Sequence, residues 1–391
     1  MEDGVIPGAI FLASDIEGSN LEMAVVTLGI CIWLSSLTGK LRYSKAVSGL
    51  DSTYTDETVL EVASLTKLVT TIAALQLVER GLIRLEDDIS HLIPEFGKRG
   101  VLEGDVNDDG SYASHPRYNA ITLQRLLTHS AGGAYTFTDD RIAKFVAVSP
   151  GYMSDGTIKS NFDFPLSYEP GEGWRYSNSL DRVGQIIEKL TKTTLEEYFK
   201  RYIFHPLGIS SASFWGGKPP LMAVREHGNA RAVPDPEALS FTTGLKECFG
   251  GQGLFINLPD YMRILRSLLL DDEALLKRET TALMFKPNLS PASKGALIQE
   301  LESATWTVGD ILKTKEYDWG LGGLLIDGDS HPYRRRNTLL WSGAPSVYWF
   351  IDRNAGVCGV FGTQVLPPSD PVVLPVIKAF EEAVYIEKGL L

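Results

Sequence analysis

The chain has 391 residues, 44% of them hydrophobic and 22% charged, with 37 Lys+Arg against 49 Asp+Glu and a formal net charge of −12. That ordinary composition excludes wholesale disorder, collagen-like repeats and coiled coils. The acidic balance argues against nucleic acid or an anionic membrane surface as the main partner, and the length suits one large unit with ample material for a core.

Cys31, Cys248 and Cys358 are widely spaced and odd in number, so reduced, buried thiols are expected rather than a disulfide framework. The six histidines are scattered with no HExxH or HxH, and neither a metal nor a cofactor is expected. The opening MEDGVIPGAI carries acids where a secretory signal carries basic residues. The most apolar window, residues 23–34, is shorter than the ~20 residues that span a bilayer. A soluble, cytoplasmic protein is the expectation.

In chain order, PGAIFLAS (7–14) and KLRYSKAVSG (40–49) read as two strands. Residues 20–38 between them show neither strand alternation nor turn chemistry, so 19–39 reads as an anomalous insertion of the kind a retained intron leaves. From about 60 to 310 the chain reads as mainly helical. Leu68, Val69, Ile72, Ala73, Leu75 and Leu77 follow a helical period that ends before Gly81. Further helices are predicted at 121–127, 179–191, 194–203 and 259–270, the last opening on Pro259 and Asp260. From about 318, GLGGLLIDG, TLLWSG, SVYWFID and GVCGVFGT predict an antiparallel meander, and 371–387 an amphipathic closing helix. The expected architecture is therefore a single α/β unit of α+β type. Residues 1–60 and 311–391 build one sheet with its flanking helices, and 61–310 form an inserted helical subdomain.

The sharpest chemical signal is Ser64-Leu65-Thr66-Lys67 at the start of the first long helix. Positions i and i+3 share a helix face, so hydroxyl and amine can meet one pocket. A serine needs a base to become a nucleophile, and a lysine serves only where its surroundings favour the neutral amine. The plain alternative is a helix start with a solvated lysine. Tyr176-Ser177-Asn178 precedes another predicted helix; the tyrosine suits a proton-sharing partner of the lysine, and Asn178 an amide donor. Its plain alternative is a packed loop tyrosine beside a capping asparagine. Trp341-Ser342-Gly343-Ala344-Pro345 ends a predicted strand, where Gly343 allows close approach and the Ala344 N–H suits an oxyanion. By itself that run is an ordinary turn.

Together the three motifs, in this order, resemble the serine β-lactamase and penicillin-binding-protein superfamily. Trp341, standing where that superfamily has a lysine, and the segment LLTHSAG (126–132) resemble its esterase branch. His129 there reads as a structural residue rather than a base. Over nearly the whole chain, SLTKLVTTIAALQLVERGL, ITLQRLLTHSAGG, ECFGGQGLF and DPVVLPVIKAFEEAVY are similar to the fungal polyketide transesterases of the lovastatin-type methylbutyryl transferase family. The resemblance implies a β-lactamase/transpeptidase-like fold and a ping-pong acyl transfer by a monomer. The donor would be a thioester on a polyketide-synthase carrier protein or coenzyme A, and the acceptor a small-molecule alcohol. It further implies Ser64 as nucleophile, Lys67 and Tyr176 as the base pair, and Ser64 and Ala344 as oxyanion donors.

Carboxylester hydrolysis by the same machinery is the second reading; a β-lactamase, a peptidase or an inactive scaffold are weaker ones. The Gly-rich run Cys248–Gly253 reads as a structural turn. The chain departs from the lovastatin-type pattern at Glu61 and Asn161, where that pattern has arginines, and at Leu366 and Pro368, where it has a glutamate and a tryptophan. Trp341, Tyr135 and Trp349 are expected to wall the acceptor site with aromatic surface.

Overall fold

A computed structural model describes residues 5–16, 24–27, 30–33, 45–48, 54–149, 154–226 and 231–391. Among these, seven strands pair antiparallel into one sheet: β1 (Gly8–Asp15), β2 (Lys45–Ser48), β3 (Tyr317–Trp319), β4 (Leu324–Ile326), β5 (Leu339–Gly343), β6 (Val347–Asp352) and β7 (Val357–Gly362). Their order is β3-β4-β5-β6-β7-β1-β2, so the first strand is inserted beside the last and the two chain ends build one sheet.

Both faces of that sheet are covered, which is why its strands read as near-continuous apolar runs. Four helices organise the cover: α1 (Thr66–Glu79), α2 (Ser179–Thr191), α3 (Leu258–Leu270) and α4 (Val373–Glu387). Side chains alternate along β7, and its two glycines show what lies on each side. A Cβ at Gly362 would strike Leu258 of α3, whereas one at Gly359 would strike Phe350 and Phe380 of α4. Phe380 also meets Phe11 of β1 edge-on at 5.6 Å. A fully buried Arg334–Glu381 pair, bidentate at 2.7 and 2.6 Å, ties α4 to the loop before β5.

Helix α1 is buried at every position from Thr66 to Leu77, as a helix running through the core must be. It ends where the sequence predicts: Gly81 N–H bonds Val78 O and Leu82 N–H bonds Leu77 O, so the last carbonyls are satisfied. Helix α3 opens on an Asn257 cap that accepts from Asp260 N–H at 2.9 Å.

Several segments differ from the sequence-based expectation, among them a hairpin of Val101–Val106 and Tyr112–His115 inside the stretch read as mainly helical; two others have a cause legible in the sequence. Ala24–Thr27 and Ile30–Trp33 pair as an antiparallel ribbon inside the stretch expected to hold no strand. Its continuous apolar run hid the two-strand pattern, because periodicity cannot resolve such runs; the rest of 17–44 lies outside the described residues. The second is a helix at Pro291–Ser303, unforeseen although Ser290 caps it from just before the proline. Cys248 and Cys358 are buried free thiols, and burial pushes both up to about 12; the Cys31 side chain lies outside the described residues. No helix among the described residues is long and apolar enough to cross a membrane.

Candidate active site

Ser64 sits in a single 3-10 turn, Ala63–Leu65, that runs directly into α1. Ala63, just before it, holds φ at +41°, a strained value for a residue with a Cβ. The turn is pinned by the Thr66 hydroxyl, which donates to Ala63 O at 2.6 Å and accepts from Leu254 N–H at 3.1 Å. The Ser64 side chain is thereby presented half-buried at a helix start, where first-turn N–H groups have no intrahelical acceptor.

One turn along, Lys67 is 2% exposed. Its Nζ donates to Ser64 Oγ at 3.1 Å, to Tyr135 Oη at 3.3 Å and to Gly251 O at 2.7 Å. It also lies 4.6 Å from the centre of the Tyr176 ring, over its face. The serine and lysine singled out by their spacing therefore do meet.

Tyr176 reaches the site from the loop before α2. Its hydroxyl accepts from the Trp341 indole N–H at 3.1 Å, and its ring stacks on Trp306 at 4.9 Å. The LLTHSAG segment and the loop that follows it hold this loop in place. Tyr135 N–H bonds Tyr176 O, the Thr138 hydroxyl donates to the same carbonyl, and His129 Nδ1 contacts the Ser177 hydroxyl at 3.0 Å. Burial and the charge of Lys67 hold the His129 imidazole well below its ordinary value, so it stays neutral and serves as a strut.

Strand β5 supplies the other wall. A Cβ at Gly343 would lie 2.5 Å from Val62 O and 3.3 Å from Ser64 N, so only glycine lets the strand end approach the serine turn. Ala344 follows at once, half-buried like Ser64.

The remaining expected residues take varied places. Tyr135 touches Lys67, and burial with the neighbouring Asp181 carboxylate raises its phenol well above the ordinary range. Asn178 occupies the N-cap position of α2 without a capping bond; its Nδ2 donates to Ala134 O at 3.3 Å, and its buried Oδ1 has no partner. Asn161 ends a short helix and donates to Thr157 O at 2.9 Å within that turn. Glu61 is buried and accepts from Ser240, with burial raising its carboxyl. Trp349 is fully buried in the core. It faces Trp341 across β5 and β6, but the aromatic wall is completed instead by Phe137 and Trp306, which pack on each other and on Tyr176.

Sequence reasoning missed those two rings and two further neighbours of Lys67. Gly251 O takes one lysine hydrogen, and Asp181 accepts from Gly251 N–H at 2.8 Å. In the sequence this neighbourhood showed only as the Gly-rich run Cys248–Gly253, read as a structural turn.

The beta-lactamase family model matches residues 34–379. The lovastatin esterase of Penicillium rubens is 37% identical over 98% of this chain and 96% of its own length. The monacolin J acid methylbutanoyltransferase of Aspergillus terreus is 34% identical over 85% of this chain and 83% of its own. The unliganded simvastatin synthase of Aspergillus terreus superimposes with a TM-score of 0.85 at 31% identity, covering 98% of this chain and 95% of that one. The chain belongs to the beta-lactamase family and, within it, to the group that holds the lovastatin esterase and the methylbutanoyltransferases.

Proposed function

We propose that this chain is a serine acyltransferase that moves an acyl group from a carrier-protein or coenzyme A thioester to a hydroxyl of a small secondary metabolite through a Ser64 acyl-enzyme. The observation that carries this reading is the 3.1 Å contact between buried Lys67 Nζ and Ser64 Oγ. Lys67, as the neutral amine, takes the Ser64 proton while Oγ attacks the thioester carbonyl. The Ser64 and Ala344 N–H groups stabilise the resulting oxyanion. Because the Tyr176 oxygen accepts from Trp341, its own hydrogen is left to donate, and it passes a proton to the departing thiolate. The proton taken by Lys67 restores the phenol. An acceptor alcohol then attacks the ester in the same place, with the same groups working in reverse.

The wall of Phe137, Trp306 and Tyr176 suits an apolar acyl chain or acceptor and displaces water. Hydrolysis is the second reading, favoured by the likeness to the lovastatin esterase. The two differ only in what resolves the acyl-enzyme. Product analysis of a thioester reaction with and without an added alcohol separates them. Transfer predicts ester formation that outpaces free acid, and hydrolysis predicts acid release that the alcohol leaves unchanged.

A further inference from the structure

We infer that Asp181 is a positioning residue for Lys67: it fixes the Gly251 carbonyl that orients the amine, and its carboxylate steadies the ammonium that forms when Ser64 gives up its proton. This rests on the reading of Lys67 as the base.

Asp181 stands in the first turn of α2, where an acid is unremarkable as a partner of the helix dipole. A dipole partner belongs in solvent, however, and Asp181 is 0% exposed. Its Oδ1 accepts from Gly251 N–H at 2.8 Å, while Oδ2 has no well-formed hydrogen bond and faces the Tyr135 phenol. A buried carboxylate oxygen without a partner is costly and rare. The adjacent Arg182 gives that oxygen no hydrogen bond, because its guanidinium turns to Glu95, Gln185 and Phe162 O, and its charge pulls on the carboxyl less than that of Lys67 does. The compensating charge is Lys67 on α1, which pulls the carboxyl down against the larger effect of burial.

The groups facing Asp181 are few. Lys67 comes from α1, Tyr135 from the loop after LLTHSAG, Arg182 from its own helix and the Gly251 N–H from the Gly-rich run. A Cβ at Gly251 would lie 2.5 Å from Oδ2, so the close approach of run and carboxylate requires glycine.

The geometry matters because a neutral amine has two hydrogens and one lone pair. With the hydrogens directed to Gly251 O and Tyr135 Oη, the lone pair is left for the Ser64 hydroxyl. Anchoring Gly251 through Asp181 therefore aims the base. The carboxylate also favours the charged lysine. Removing its charge weakens the ammonium formed once Ser64 has transferred its proton, which shows in the pH midpoint of acylation.

The test is the pH dependence of Ser64 acylation by a p-nitrophenyl ester in a single turnover, in wild type and Asp181→Asn, with Ser64→Ala and Lys67→Ala as controls. The expected result is an acid-side midpoint lower by about one unit in Asp181→Asn, with a plateau reduced about tenfold. An unchanged midpoint in folded Asp181→Asn overturns the inference while leaving Lys67 as the base, provided the controls are inactive. Active controls overturn both. Should Asp181→Asn not fold, the Gly251 amide resonance of otherwise wild-type protein gives the reading. It is expected to titrate near the value of about 6 to which burial lifts Asp181. Its midpoint must rise in Lys67→Met, since the coupling is reciprocal. A Gly251 resonance indifferent to Lys67 overturns the inference.

Discussion

The Trp341 indole N–H donates to the Tyr176 hydroxyl over 3.1 Å, while Lys67 Nζ rests on the face of the same tyrosine ring. One side chain is thus held by its edge and used by its face. The indole fills the donor position without adding a charge beside Lys67, and an indole cannot be exchanged for a benzene ring without losing that donor.

Trp341→Phe is expected to lower kcat/KM about tenfold, the loss of one buried hydrogen bond. Tyr176→Phe is expected to cost more, since it removes the proton donor as well. In a double-mutant cycle the two changes should couple by ~1 kcal/mol, and strict additivity would mean that the contact is idle.

His129 should not shape the pH profile. Burial and Lys67 lower its affinity for protons in the folded state, so the imidazole remains neutral across the working range. His129→Asn is expected to reduce activity through the Ser177 contact, by about tenfold, without moving the acid-side pH midpoint. A shifted midpoint would assign the imidazole a direct part in proton transfer.

Asp181 should cost stability above neutrality. Its folded value is raised to about 6 from 3.8, so the folded protein binds the extra proton between those limits. Relative stability is therefore lost as pH rises through that window, by about 3 kcal/mol when complete. Asp181→Asn should therefore melt higher than wild type at pH 8, with the gap closing towards pH 5. Calorimetry at several pH values checks this, and a gap independent of pH would contradict it.

The Arg334–Glu381 pair is fully buried and bidentate. Removing one partner leaves a bare charge in the core, so Glu381→Ala should destabilise by about 3–5 kcal/mol. The double replacement Arg334→Met with Glu381→Leu should recover much of that loss in denaturant titration. Activity of whatever stays folded should change little, because neither residue touches the Ser64 site.

Much of this was legible in the sequence. The meander after residue 318 carries β-branched and aromatic runs cut by Gly, Asn and Asp, and β4 to β7 fall within those runs. Ser64 and Lys67 were legible because a helix start and an i+3 spacing leave little freedom. Asp181 was not, because a first-turn acid looks the same whether solvated or buried. Trp341 and Trp349 are opposite each other across β5 and β6, yet only Trp341 reaches the site rings. Which of two facing aromatics meets the site rings depends on neighbours far away in the chain. Phe137 and Trp306 were invisible for the same reason, since each lies in a loop with no periodicity to place it.

The most direct measurement is intact mass spectrometry after mixing the protein with short-chain acyl pantetheine thioesters, beside Ser64→Ala. The account predicts a single acyl adduct on the wild-type chain, lost in Ser64→Ala and discharged as an ester when an alcohol acceptor is added. An adduct that persists in Ser64→Ala, or thioester turnover unaffected by that substitution, would contradict it.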